Sequence, residues 1–432
     1  MMILRKRKES PVTRRLFSAA FAAMSLSMVA IGYGVPTAVA SSPTVTLTYA
    51  NFTAATIPGE KALVLGFEKT HPGIHINLEE LPLSNYETNL ELETRVHKAP
   101  DIMQAIPEWL FDLNHAHVLL DLSSQSPGLT QKFLPSGRAM VTQNGHMYGA
   151  PFRIGESAVF VNPALFKAAH VPIPTNWTWA QFLQDAKKLT NAAKGIYGFA
   201  APVSSASSDL GSSWTWLTML FSYGGLMVNG NKAAFDNAVG VRALTDYVNM
   251  YKAGVEPPSE LTWITNDVVQ AFCHGKVAMW LNGPWYITTI QSSCPKLAFD
   301  TAPVPKGTMF GSDAGGTFIG VSSETPHPKQ AMEFVNYMTS TPVLTKWAKA
   351  GQFLAPVQSV LSAPYFAKQN LLAPYIANLA KPGVHFDSLT PDNTALLGIL
   401  QTAIQKALSG TSPATALHSA AAQWDAKLAH PY

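Results

Sequence analysis

TVTLTYANFTAATIPGEKALVLGFEKTHPGIHINLEE, residues 44–80, decides the fold class. Val45, Leu47 and Tyr49 alternate with threonines, as a half-buried strand requires, and Leu63, Val64 and Phe67 then recur at helical spacing between Pro58 and Lys69. Pro72-Gly73 stops that helix, after which Ile74, Ile76 and Leu78 alternate again. Two strands joined by such a crossover helix pair in parallel, so the chain reads as α/β.

Working outward, Ser157 to Asn162 reads as a strand, and Thr178-Trp179-Ala180-Gln181 as a capping box that opens a helix with Phe182, Leu183, Ala186 and Leu189 inward. Val239 to Ala253 and Asn266 to Phe272 are amphipathic helices, Thr317 to Val321 is a strand, and Pro328 to Thr339 is a further helix. The last stretch is all helical. Thr390-Pro391 and Ser412-Pro413 each resemble a cap followed by proline in the first turn, with Gly410 between. Leu396, Leu400, Ala403 and Ala407, then Leu417, Ala421, Trp424 and Leu428, form two apolar stripes that predict core packing.

The chain has 432 residues, 47 % hydrophobic and 13 % charged, a charged share about half that of ordinary soluble domains. Length predicts more than one domain. Six of the basic residues (Arg5, Lys6, Arg7, Lys8, Arg14, Arg15) and one acid, Glu9, lie in the first 40, so 24 basic and 26 acidic residues remain. That balance removes the electrostatic basis for nucleic-acid binding. The basic start, the apolar run from Leu16 to Val35 and the small site Ala38-Val39-Ala40 read as a signal peptide over residues 1–40. Thr13-Arg14-Arg15-Leu16-Phe17 suits either an ordinary basic region or a twin-arginine signal, and an uncleaved anchor is the alternative to cleavage. No cysteine follows the run, which excludes lipid attachment there.

Export bears on the two cysteines. Cys273 ends one helical pattern and the helix from Pro284 to Ser293 runs back toward Cys294, which places both sulfurs at one end of the unit. In an oxidising compartment a disulfide is expected rather than two buried thiols. The low carboxylate count and 12 histidines also suit work in an acid medium, because fewer carboxylates means fewer groups whose protonation alters stability.

Catalytic motifs are absent: no G-x-S-x-G, Walker loop, G-x-G-x-x-G or H-E-x-x-H occurs. No metal or cofactor is expected. Glu108, Glu156, Asp209 and Asp313 are the carboxylates from which a glycosidase pair would be drawn. More informative are Trp109, Trp214, Trp216, Trp263 and Trp285, which stand in polar or glycine-rich settings. An indole is a flat platform for the C–H face of a sugar, whose hydroxyls need planar polar partners. Trp285 follows Gly283-Pro284 at a helix start beyond a strand end, where ligands of open α/β sheets sit.

An ordered set of segments carries a resemblance: Phe67-Glu68-Lys69 with His71-Pro72-Gly73-Ile74, Ala99-Pro100-Asp101-Ile102, Leu119 to Leu122, Met147 to Phe152, Pro174 to Phe182, Gly275 to Met279, Gly283-Pro284-Trp285, Pro303 to Gly307 and Gly351 to Pro356. Together they resemble bacterial extracellular solute-binding proteins of the sugar-binding family, receptors of ABC importers similar to maltose- and oligosaccharide-binding proteins. The resemblance implies a two-lobe periplasmic-binding-protein fold with a hinge, an interlobe cleft and a helical C-terminal segment. Lobe 1 is expected over 41–151 plus about 307–350, and lobe 2 over about 152–306 plus 351–432. Carried over by position, it implies ligand contacts from Asn51, Thr53, Glu108, Trp109, Asp209, Trp214, Trp216, Trp285, Gly315 and Gly316, and from Arg153 or Glu156 on the first crossing.

The function so implied is a monomeric, non-enzymatic carbohydrate receptor outside the cytoplasm, periplasmic or at the cell surface, delivering sugar to the membrane subunits of an ABC importer. A binder of glycerol phosphate, a peptide or a polyamine, and a secreted glycoside hydrolase, are the alternatives. No aromatic stands between Asp392 and Leu397, where oligosaccharide binders place one, which favours a smaller or different sugar.

Overall fold

The computed structural model describes residues 44–53, 59–82, 85–126, 128–204, 211–379, 381, 383–386 and 390–430. The signal-peptide reading and Asp209 fall outside the described residues.

The opening unit forms as its pattern dictates. β1 (Val45–Asn51) and β2 (Ile74–Glu80) pair in parallel through α1 (Glu60–Thr70), with Val45 opposite Ile74 and Asn51 opposite Glu80. Gly59 precedes α1 at φ 97°, a left-handed turn that a side chain would strain. α1 buries Leu63, Val64 and Phe67 on the first sheet, and also Glu60, an acid on an otherwise apolar face. After α2 (Tyr86–Arg95), β3 (Ile102–Ala105) adds in parallel to the other edge of β1.

A long strand, Ser312–Val321, then runs antiparallel to β3 and carries a second antiparallel partner, Ala150–Glu156. These two strands leave the first sheet together. After Ser157 the chain continues as Ala158–Val161, the middle of a second sheet whose neighbours, Met279–Asn282 and Asp300–Ala302, are both antiparallel to it. The parallel strand-helix-strand grammar is thus confined to the first sheet: the middle strand follows straight on from the crossing and its neighbours return against it.

Two apolar cores result. Tyr49, Phe67, Phe152 and Trp347 belong to the first, which Phe353, Leu354 and Tyr375 also join. Phe182, Trp216, Leu220 and Tyr247 belong to the second, which the terminal helices Asn393–Leu408 and Pro413–Ala429 complete. Both expected stripes are buried there, and Trp424 donates Nε1–H to Leu396 O at 2.7 Å while its ring meets Phe235 edge-on. Each such side chain contributes about 1.5–3 kcal/mol by leaving water. The Thr178–Gln181 capping box and the Ser412 cap form. The other expected cap does not: the helix begins at Asn393 behind Asp392, held at φ 56°, because tertiary contacts of Asp392 override the local Thr390-Pro391 signal. Among the described residues no helix is long and apolar enough to cross a membrane.

Cys273 and Cys294 are disulfide-bonded with Cα atoms 5.6 Å apart, tying the end of helix Thr265–Cys273 to that of Tyr286–Ser293. Behind the second core, Glu256 and Glu260 are 2 % and 0 % exposed and act on each other electrostatically. Ala201 N–H donates to Glu260. Burial raises both carboxyls, and their mutual repulsion raises Glu260 further. Groups raised in the folded state stabilise it fully below the ordinary glutamate value and lose that contribution as pH rises through the folded one. Melting temperature is therefore expected to fall between about pH 5 and about pH 8, and Glu256→Gln to flatten the fall by about 1 kcal/mol or more. A pH series of thermal melts on both proteins checks this, and identical slopes contradict it.

Candidate functional site

The ends of β1 and β3 gather a buried polar cluster. Asn51, the last residue of β1, accepts from Thr53 N–H at 2.6 Å, an Asx-type turn that brings the Thr53 hydroxyl back over the strand. Glu60, 0 % exposed at the start of α1, accepts from Tyr49 Oη at 2.9 Å and from Asn51 Nδ2. Thr53 Oγ1 lies 2.9 Å from both Glu60 Oε2 and Gln104 Oε1, and its single proton serves one of them. Burial pushes the Glu60 carboxyl up, while the hydrogen bonds from Tyr49, Thr53 and Asn51 and the nearby Arg153 charge pull it back.

Arg153 projects from the crossing strand Ala150–Glu156 and is 8 % exposed. Burial pushes its guanidinium down to about 10 and Glu60 opposes that shift. Its Cζ lies 5.7 Å from the Trp285 ring centroid, which joins the polar cluster to the aromatic one. Gly155 and Gly315 pair across the two crossing strands. A Cβ on Gly315 would sit 3.2 Å from Trp285 and 3.3 Å from Trp214, and one on Gly155 would strike Pro284 at 2.4 Å. These glycines form a flat floor under two indoles, which meet edge-to-face with centroids 5.5 Å apart. Trp285 remains partly exposed. A second aromatic group, Phe52, Tyr86 and Trp109, lies beside the end of β1, with Glu108 buried in the same turn as Trp109.

The geometry sorts the sequence candidates. Asn51, Thr53, Arg153, Trp214, Trp285 and Gly315 come together, and Glu108 and Trp109 flank them. Trp216 does not join: two positions beyond Trp214 on one helix it points the opposite way, fully buried against Phe235 in the second core. Glu156 lies on the strand face opposite Gly155, where its charge acts on Tyr375 and Lys381 rather than beside the indoles. Gly316 faces away from the floor too, its extra methyl blocked by Arg153 O at 2.3 Å, so its role is close strand pairing. Sequence reasoning missed Glu60, Gln104 and Tyr49. The available signal was a lone acid in the first helical turn after Pro58-Gly59.

A sequence profile described as bacterial extracellular solute-binding protein matches residues 49–345, more than half of the chain. The chain belongs to that family. Among its relatives is a putative binding protein of Brucella abortus, 23 % identical over 392 residues, which span 89 % of this chain and 93 % of that one. The multiple sugar-binding protein of Streptococcus mutans is 24 % identical over 315 residues, 66 % of this chain and 69 % of that one. The fold of this solute-binding protein is shared with the ABC transporter solute-binding protein of Thermotoga lettingae bound with alpha-D-tagatose: TM-score 0.80, 23 % identity, 90 % of this chain and 100 % of that one. The solute-binding protein thus has the two-lobe α/β fold, with Arg153 and the glycine floor on the paired strands Ala150–Glu156 and Ser312–Val321.

Proposed function

We propose that this solute-binding protein is a non-enzymatic carbohydrate receptor that works outside the cytoplasm and hands its ligand to the membrane subunits of an ABC importer. One observation carries the reading. A partly exposed Trp285 indole, backed by glycines and edged by Trp214, stands beside Arg153 and the Asn51–Thr53–Glu60–Gln104 cluster. A sugar stacks its C–H face on such a ring while its hydroxyls exchange hydrogen bonds with the amides, carboxyl and guanidinium. Because the polar cluster belongs to one lobe and the indoles to the other, a ligand touching both favours the closed arrangement. Asp209, Glu108 and Trp109 are proposed as further contacts. We propose the lobes as the sequence suggests, 41–151 plus about 307–350 against about 152–306 plus 351–432; Tyr375 Oη donates to Asn282 O and Thr301 Oγ1 to Leu371 O, which ties the stretch after 351 to the second sheet.

Release to an importer calls for moderate affinity, near micromolar or about −8 kcal/mol. Calorimetry against a panel of neutral mono- and oligosaccharides is expected to give heat for at least one at that strength, with no turnover of the sugar. Silence across the panel, with heat from glycerol 3-phosphate, a peptide or a polyamine, overturns the reading. The buried Arg153 favours glycerol phosphate among these, because a desolvated guanidinium recognises phosphate bidentately. Arg153→Ala separates the cases: it abolishes anion binding and only weakens that of a neutral sugar.

A further inference from the structure

The start of helix Asn393–Leu408 reaches from the second lobe to two carboxylates of the first. Asp392 N–H donates to Asp112 Oδ1 at 2.7 Å, and Thr394 Oγ1 donates to Glu87 Oε2 at 2.9 Å. Leu396, Leu400 and Ile404 of that helix lie in the second core. Glu87 stands on α2 and Asp112 on helix Leu110–His115, whose Leu90, Leu110 and Leu113 lie in the first core. Helix Asn393–Leu408 packs on helices Gly211–Ser222 and Ala238–Lys252 of the second lobe, whereas Glu87 and Asp112 stand on elements that follow β2 and β3, so both bonds join one lobe to the other, next to the turn that carries Glu108 and Trp109.

We propose that these two hydrogen bonds are a latch that fastens the closed lobes, with Glu87 and Asp112 as positioning residues for ligand capture, and that the latch closes more readily in acid. The inference deepens the receptor reading, because a latch of this kind sets how firmly the lobes close on a solute.

Burial of Glu87, reinforced by the charges around the latch, gives the acid preference. Glu87 faces Asp112 and Glu91, and Glu91 in turn faces Asp112, Asp392, Arg95 and His115. Arg95 is 3.9 Å from Glu91 on the same helix, and Lys427 pairs with Asp392 at 3.1 Å, so closure brings one carboxylate and its lysine up to three carboxylates, Arg95 and His115 of the first lobe. Burial pushes the Glu87 carboxyl up to about 8, with Asp112 and Glu91 adding to the shift and the Thr394 bond opposing it. A group raised in the closed form favours that form below its ordinary value of 4.5, and the advantage is lost as pH rises through about 8. Between those limits the closed-to-open ratio changes by at most about tenfold per pH unit.

The test uses the full chain without ligand, spin-labelled at K98C and K406C, one exposed position on each lobe, with distance distributions recorded at about pH 5.5 and about pH 8.5. The short-distance population of the otherwise unchanged protein is expected to shrink at the higher pH. Glu87→Gln keeps an acceptor oxygen for Thr394 but no charge, and is expected to hold the short distance at both. Thr394→Val, which removes the donor and leaves every carboxylate in place, is expected to lose it at both. A distribution that does not respond to pH, or a Glu87→Gln protein that responds as the parent does, overturns the proposal. No sugar enters the experiment, so its failure is distinct from a failure of the carbohydrate reading, which the calorimetric panel reports separately.

Discussion

Replacing Trp285 by alanine is expected to weaken carbohydrate binding by about 2 kcal/mol or more, roughly thirtyfold, while leaving the fold intact. In the proposed site the ring meets ligand on one face, and its other neighbours include the glycine floor, Trp214 and Arg153. Its removal takes away the stacking surface and opens space above Gly155 and Gly315 that water fills at no strain. Partial exposure means that little core packing is lost, so the melting temperature should change far less than affinity. Trp216→Phe is the matching control, because that indole belongs to the second core and should leave affinity unchanged. Calorimetry on the three proteins, with melts alongside, reads both effects. Equal affinity of the Trp285→Ala and parent proteins would place the ligand elsewhere.

Changing both Cys273 and Cys294 to serine is expected to cost about 3 kcal/mol of stability, the loop-closure entropy of a bridge spanning 21 residues. The closed loop contains strand Met279–Asn282 of the second sheet and Trp285 itself. The loss should therefore appear first as easier unfolding of the lobe that carries the stacking ring. Denaturant titration of the double variant and of the parent, with and without reductant, measures it. The reduced parent should match the double variant, and midpoints that coincide in all samples would show that the bridge adds nothing.

Much of this molecule was legible before any coordinates. The β1–α1–β2 unit declared itself because its apolar residues switch cleanly from a period of two to a helical period and back, and each period permits one element type. The terminal helices were legible from stripes that find no partner except a core. Trp285 stood out because Gly283-Pro284 fixes a helix start beside a strand end, a local signal for a site that only the tertiary fold completes.

What the sequence withheld depended on direction and distance. Arg153 and Glu156 are equally polar and three residues apart, and which one meets the indoles is set by strand pleat at a bend between two sheets. Trp214 and Trp216 share a helix but not a face. Glu60 carries no distinguishing signal of its own in a first helical turn, since nothing local announces that Tyr49, Asn51 and Thr53 converge on it. Asp392 replaced Thr390 as the helix entry because its partners, Asp112 and Lys427, lie 280 and 35 positions away.

The proposed ligand lies between Trp285 and the β1–β3 polar cluster. A crystal structure of the purified protein with the saccharide that gives the strongest heat tests this most directly. It should show a sugar ring flat on the Trp285 indole, with hydroxyls within hydrogen-bond reach of Arg153 and of Asn51 or Glu60, and the Asp392–Asp112 and Thr394–Glu87 contacts formed. A sugar bound away from Trp285, or lobes in the same relative position with and without it, would contradict the account.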